Sequence, residues 1–256
     1  MIFRIILLTF STYSVIPLPS FKLKGGEEHY MLCALPLVGA VLGAIEAALF
    51  YLCTYLLLPD MATVLLLCAL PLLFTGGIHV DGLMDTADAK HSWRGKEERL
   101  KILKDPHIGA FAVIRLLIYL MLLGAAGLTV IADGDGGITR LLLFAAVFVF
   151  SRSSCAVSSL LLPSAKNEGM LYSAKQGGRG RVFIPLVILI AAVAAAVYID
   201  PVYASLQLAL QLILAVYYCR MTDRSFGGIN GDTAGWYICM SELLSVAAMA
   251  VRSIMG

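Results

Sequence analysis

The chain has 256 residues, 60% hydrophobic and only 14% charged, with a mean hydropathy of +0.87 and a formal net charge of +2. A soluble domain is nearer half apolar and a quarter charged, so one aqueous core cannot hide this much apolar surface and a bilayer must solvate much of it. The small net charge leaves no electrostatic footprint for nucleic acid, and six singly scattered cysteines lack the spacing of a zinc site or disulfide framework.

In chain order, the first apolar stretch is short. Arg4 precedes residues 5–10, and Pro17 and Pro19 follow with no small-x-small cleavage site, which predicts an uncleaved segment at the membrane interface. Seven stretches then qualify against the ~20 apolar residues a spanning helix needs: 30–58, 61–77, 109–132, 138–162, 182–199, 202–219 and 233–255. The second is the shortest. Gly39 and Gly43 form a small-xxx-small pair that permits close helix contact. No long polar linker divides the chain, so the expectation is all-α, a single domain over 1–256, folded as a polytopic membrane helix bundle with about seven transmembrane helices.

Alternating the connections places the N-terminus, 80–107, 163–181 and 220–232 on one side, and 59–60, 133–137 and 200–201 on the other. Of 19 Lys and Arg, all but Arg140 and Arg252 fall on or toward the first side. The positive-inside rule then puts the long loops in the cytoplasm. The outer turns merely connect, so chemistry is expected on the inner face.

The most informative stretch runs Gly76-Gly77-Ile78-His79-Val80-Asp81-Gly82-Leu83-Met84-Asp85-Thr86-Ala87-Asp88. Asp81, Asp85 and Asp88 recur at i, i+4 and i+7, which stacks three carboxylates on one helix face where they repel. A hard divalent cation offsets that repulsion, and Mg²⁺ commonly bridges a few carboxylates to substrate phosphates. Helix-terminal decoration is the alternative for any one of them. Gly76 and Gly77 supply flexibility or room for close substrate approach.

Residues 97–104 read as a short amphipathic helix with Leu100 and Leu103 on its apolar side. Lys104, Asp105 and His107 abut the next span and are expected to face the acidic stretch, Lys104 as a point charge for phosphate and His107 as a proton acceptor. His29 and His91 read as surface residues. The stretch 173–181, rich in glycine and basic residues, reads as either a phosphate clamp or a mobile linker. Before the last span, Phe226-Gly227-Gly228-Ile229-Asn230-Gly231-Asp232-Thr233 makes a tight loop able to offer backbone N–H groups to an anion. Asp232 is there either the N-cap of the last helix, the favoured reading taken alone, or a further metal ligand. Four ionisable residues, Glu46, Arg115, Arg152 and Glu242, fall inside spans, where such groups usually face the bundle interior. Arg152 and Glu242 lie at similar depth, each about 15 Å from its inner helix end at ~1.5 Å per residue, as an ion pair or part of a cavity.

Taken together, these residues resemble the cobalamin synthase family, the adenosylcobinamide-GDP ribazoletransferases, over nearly the whole chain. The resemblance rests on residues 10–19, on Pro36-Leu37-Val38-Gly39, on the acidic stretch 76–88, on Lys104-Asp105-Pro106-His107-Ile108-Gly109-Ala110-Phe111, and on Gly227-Gly228-Ile229-Asn230-Gly231-Asp232. Ala89, Asn230 and Ser151-Arg152 depart from the family's usual glycine, threonine and Gly-Arg. The resemblance implies a Mg²⁺-dependent transferase of a prokaryotic inner membrane, with its active site facing the cytoplasm. α-Ribazole or its 5′-phosphate would attack adenosylcobinamide-GDP through a ribose hydroxyl, at the phosphorus on the cobinamide side, and GMP would leave. Asp81, Asp85, Asp88 and Asp232 are then the expected metal ligands, and Asp81, Asp85, Asp88 and His107 the catalytic set. Substrate contacts are expected from His79, Lys104, Asp105, Arg152 and Glu242, and from Gly228, Asn230, Gly231 and Asp232 in the late loop. The rival readings are a CDP-alcohol phosphatidyltransferase, a membrane prenyltransferase and a corrinoid transporter. The first lacks Ala-Arg after Asp81-Gly82, the second a symmetric second Asp-x-x-x-Asp. A transporter would concentrate its ionisable residues near the midplane.

Overall fold

In a computed structural model, residues 1–19, 25–133 and 137–256 are described. The apolar stretches become helices because a bilayer leaves backbone groups no partner but their own chain. Among the described residues they run α1 Ile2–Tyr13, α2 Met31–Tyr55, α3 Asp60–Thr75, α4 Ile78–His91, α5 Lys96–Ile102, α6 Ala110–Ala132, α7 Gly137–Leu161, α8 Met170–Lys175, α9 Phe183–Ile199, α10 Pro201–Phe226 and α11 Gly231–Met255. Six helical segments among the described residues are long and apolar enough to cross a membrane; α3 and α4 meet at a bend of 92° and would add a seventh only if the bent pair were one span. The chain is an integral membrane helix bundle. No β-strand forms among the described residues.

The bend falls at Gly76 (φ 63°) and Gly77 (φ 79°). Two successive left-handed residues suit glycine, which carries no Cβ to clash. Gly76 ends α3 and Gly77 opens α4, so this pair fixes a corner rather than supplying flexibility. The polar α4 leaves the direction of α3 there. Likewise α10 runs seven residues past the expected end at 219, because Met221, Thr222, Ser225 and Phe226 keep one face buried. Gly227 (φ 77°) then stops it, donating its N–H to the Asp223 carbonyl at 3.1 Å.

Helices α2, α7 and α11 form the interior, while α6 and α9 are peripheral and point Leu117, Met121 and Ile190 outward as lipid-facing residues would. The expected close contact at Gly39 and Gly43 is present. A Cβ on Gly39 would meet the Phe148 carbonyl, and one on Gly43 the Ala145 carbonyl, both on α7. Hydrogen bonds join α10 to α11: the Gln211 amide donates to the Ser241 carbonyl (2.9 Å) and Ser245 Oγ (3.1 Å), and Gln207 donates to Ser245 Oγ (3.1 Å).

Candidate active site

The site begins where α4 crosses α11. A Cβ on Gly82 would stand 2.5 Å from the Asp232 carbonyl oxygen, and one on Gly235 would stand 2.9 Å from the His79 carbonyl oxygen. Two glycines, 153 positions apart in sequence, therefore let the helix backbones touch. That contact brings the Asp81 and Asp85 carboxylates of α4 beside Asp232 of α11. Asp85 feels all of this. Burial and then the charges of Asp81, Asp232 and Asp88 push its carboxyl up to about 7.

Asp88 shares the helix face but has another task. Its Oδ2 accepts from the Gly109 N–H at 2.6 Å and its Oδ1 from the Ala112 N–H at 2.8 Å. Both oxygens thus satisfy the opening turn of α6, where four N–H groups would otherwise lack partners.

Asp232 is not the N-cap of α11. Asn230 is: its side chain accepts from the Thr233 N–H (2.9 Å), and Thr233 Oγ1 accepts from the Asn230 N–H (2.9 Å). This reciprocal box leaves Asp232 in the first turn with its carboxylate free to act, at a helix end that favours negative charge. Gly228 is absorbed by packing. Its φ is 152°, and a Cβ there would stand 2.6 Å from the Pro163 carbonyl oxygen. The Ile229 N–H donates to the Pro163 carbonyl (2.9 Å) and the Ala165 N–H to the Ile229 carbonyl (2.8 Å), which ties the glycine-rich turn to the segment after α7.

Between these elements lies a cavity of about 530 Å³. Asp81, Asp232, His79, Asn230 and Gly231 form one part of its wall, Lys104, Lys166 and Glu168 another. The rest is largely apolar, with Leu32, Leu35, Leu100, Leu103, Leu171 and Ile238. Such a chamber suits a large amphiphile carrying phosphate. His79 is buried, its Nε2 has no hydrogen-bond partner among the described residues, and its ring stacks on Tyr13 at 6.2 Å.

Other expected residues lie elsewhere. His107 and Asp105 are exposed and bonded to each other, Nδ1 to Oδ1 at 2.6 Å, and neither lines the cavity. The His107 backbone N–H, and then its imidazole, hold the Asp105 carboxyl below its usual range. Arg152 and Glu242 pair with one another inside the bundle, where Arg152 also donates to Ser151 Oγ at 2.9 Å. They are fully buried or nearly so and off the main cavity, so they read as a structural pair. The two histidines expected at the surface are partly buried: His29 Nδ1 lies 2.6 Å from the Ser173 carbonyl, and His91 stacks on Phe111 at 4.8 Å. The stretch 173–181 contains the end of α8 and a turn of 3₁₀-helix over Arg179–Val182. Lys166 and Glu168 are cavity residues that sequence reasoning missed, and no local pattern marks them.

Asp81, Asp85 and Asp232 form no ion pair with a basic side chain among the described residues. Nor do any three His, Cys, Asp or Glu side chains among them come together closely enough to hold a metal ion. An open set of uncompensated carboxylates fits Mg²⁺, which keeps waters and takes one or two carboxylates together with substrate phosphates.

Residues 5–250 match the family model described as cobalamin-5-phosphate synthase. An adenosylcobinamide-GDP ribazoletransferase of Lachnoclostridium phytofermentans is 33% identical over 247 residues, covering 95% of this chain and 92% of its own. The enzymes of that name from Desulfitobacterium hafniense and Geobacillus kaustophilus are 35% and 31% identical, over 93% and 98% of this chain and 92% and 97% of theirs. No solved structure matches. With the match running almost from end to end, the chain belongs to the cobalamin-5-phosphate synthase family.

Proposed function

We propose that this protein is an adenosylcobinamide-GDP ribazoletransferase of a prokaryotic inner membrane, with its cavity open to the cytoplasm. It joins α-ribazole or α-ribazole 5′-phosphate to adenosylcobinamide-GDP. The observation that carries the reading is the chamber itself: uncompensated Asp81 and Asp232 on one wall, two lysines on another and an apolar remainder. The basic bias of the loops at that end supports the cytoplasmic side.

In the reaction, the acceptor's ribose hydroxyl forms a P–O bond to the cobinamide-side phosphorus, the bond to the bridging oxygen breaks, and GMP leaves with that oxygen. Such transfers need positioning and charge neutralisation more than covalent catalysis. Asp81 and Asp232, which line the chamber, would hold Mg²⁺ with Asp85 beside them, and Asp88 supports the group by fixing α4 to α6. When bound, the ion neutralises charge building on the diphosphate. Lys104 and Lys166 face the same chamber and attract its anionic groups. The apolar wall, from Leu32 to Ile238, takes the corrinoid periphery. The hydroxyl proton goes to a cavity carboxylate rather than to His107, which lies outside the chamber.

The test is mass analysis of products from purified protein given adenosylcobinamide-GDP, α-ribazole 5′-phosphate and Mg²⁺. GMP and a cobamide phosphate are expected. Release of CMP from a CDP-alcohol, or of diphosphate from a prenyl donor, with the corrinoid donor left intact, would overturn the assignment.

A further inference from the structure

The chamber holds a second charged cluster, separate from the carboxylates. Lys104 Nζ lies 2.9 Å from Glu168 Oε1, and Lys166 Nζ lies 3.9 Å from the same oxygen. One carboxylate thus answers two ammonium groups, leaving the trio one positive charge in excess. Lys104, and then Lys166, hold the Glu168 carboxyl below its ordinary range, while Glu168 raises Lys104.

The side chains are loosely held on a firm backbone. Lys104 and Glu168 are 65% and 62% exposed and Lys166 34%, and water competes effectively for such pairs. The backbone beside Lys166 is pinned by the bonds between Pro163, Ala165 and Ile229, and that turn leads directly into Asp232. After Glu168 comes Gly169, at φ 91° with nothing within 4 Å of where a Cβ would be, so this carboxylate sits on a segment with room to turn away. An anion with several oxygens meets two ammonium groups better than one carboxylate oxygen does, since lysine acts as a point charge that gains from each added negative charge.

We propose that Lys104 and Lys166 form a binding site for a substrate phosphate group, which Glu168 fills as a carboxylate stand-in until the phosphate displaces it. The identity of the phosphate as a substrate's rests on the transferase reading; the anion site itself does not. Glu168 then acts as a selectivity residue. Singly charged anions fail to displace it, and a phosphate group carrying about two negative charges succeeds. The phosphate belongs either to the donor's diphosphate or to a 5′-phosphate on the acceptor.

The first experiment is a calorimetric titration of inorganic pyrophosphate into the full chain in detergent, at low salt with EDTA, so that the aspartates repel the probe. Glu168→Gln should bind about three- to fivefold more tightly than the wild type, the scale on which removing an exposed competing charge acts. Lys166→Gln should bind about fivefold more weakly, and adding Glu168→Gln to it should recover part of that loss, because Lys104 is then unopposed. Equal affinities in all variants, with unchanged thermal midpoints, would overturn the site. The second experiment locates the source. Glu168→Gln should lower KM, with kcat little changed, for the donor alone if its diphosphate binds here. It should do so for phosphorylated but not unphosphorylated α-ribazole if the acceptor binds here. If pyrophosphate affinity shifts and neither KM moves, the lysines bind anions without serving substrate, and the proposal fails. Absence of transfer product from the wild type sinks the transferase reading, and the titration still decides whether the lysines hold phosphate.

Discussion

The contact between α4 and α11 makes Gly82→Ala a sharp test of how the carboxylates are positioned. The added Cβ would lie 2.5 Å from the Asp232 carbonyl oxygen, and ordinary contact begins near 3.4 Å, so the helices must part by 3.4 − 2.5 = 0.9 Å. Overpacking of this kind costs about 1–3 kcal/mol, and alanine's better helix propensity returns up to about 1 kcal/mol. The net loss of stability is therefore about 0–3 kcal/mol. Activity is more sensitive, because a displacement near 1 Å at reacting groups costs on the order of 10²-fold. Gly235→Ala requires only 3.4 − 2.9 = 0.5 Å and should lose less. Gly124→Ala on the peripheral α6, where nothing lies within 4 Å, should match the wild type. GMP release measured beside thermal unfolding in detergent gives both quantities. Wild-type turnover by Gly82→Ala, or a greater loss in Gly235→Ala, would refute the claim that backbone contact sets the carboxylate geometry.

Three further outcomes are expected. Asp85→Asn and Asp232→Asn should each lower turnover by about 10²-fold or more while raising the unfolding midpoint without Mg²⁺. Asp88→Ala should instead cost stability, about 1–2 kcal/mol, by uncapping α6, and unfolding curves for the set separate the roles. For pH, Asp85 has its folded pKa raised from 3.8 to about 7, so its protonated form is favoured in the fold. That contribution is complete below about 4 and is lost as pH rises through 7. The metal-free midpoint should fall between about pH 4 and 7 and level off above, and excess Mg²⁺ should flatten the slope; a rising midpoint contradicts the clustering of charge. Finally, Glu242→Leu or Arg152→Met alone should destabilise by about 3–5 kcal/mol, and the double change by much less, because a lone buried charge is worse than none. Additive losses in denaturation would argue against the pair.

The bundle was legible because spans announce themselves by length: 109–132 became Ala110–Ala132, and 138–162 became Gly137–Leu161. The acidic repeat was legible as one helix, and Gly39 and Gly43 as a packing face, since both patterns are local. What escaped depends on contacts between distant segments. The i, i+4, i+7 spacing placed Asp88 with its neighbours, yet its oxygens are claimed by Gly109 and Ala112 across a loop. Capping statistics favoured Asp232, whereas the Asn230–Thr233 pair satisfies the helix end two residues earlier. Lys104 was expected to face the acidic stretch, and it does line that chamber, but its partner Glu168 comes from a connection 64 positions away.

The bridge between the segment after α7 and the glycine-rich turn bears on how the chain can be engineered. Adding residues within 163–165, or at Gly228, undoes the paired backbone bonds and shifts Lys166 and Asp232 together. The turn from Leu56 to Pro59 has exposed side chains and, among the described residues, its backbone bonds only to its own neighbours in sequence. An epitope or fluorophore meant to report topology is accommodated there, while the opposite mouth accepts new length only at the expense of catalysis.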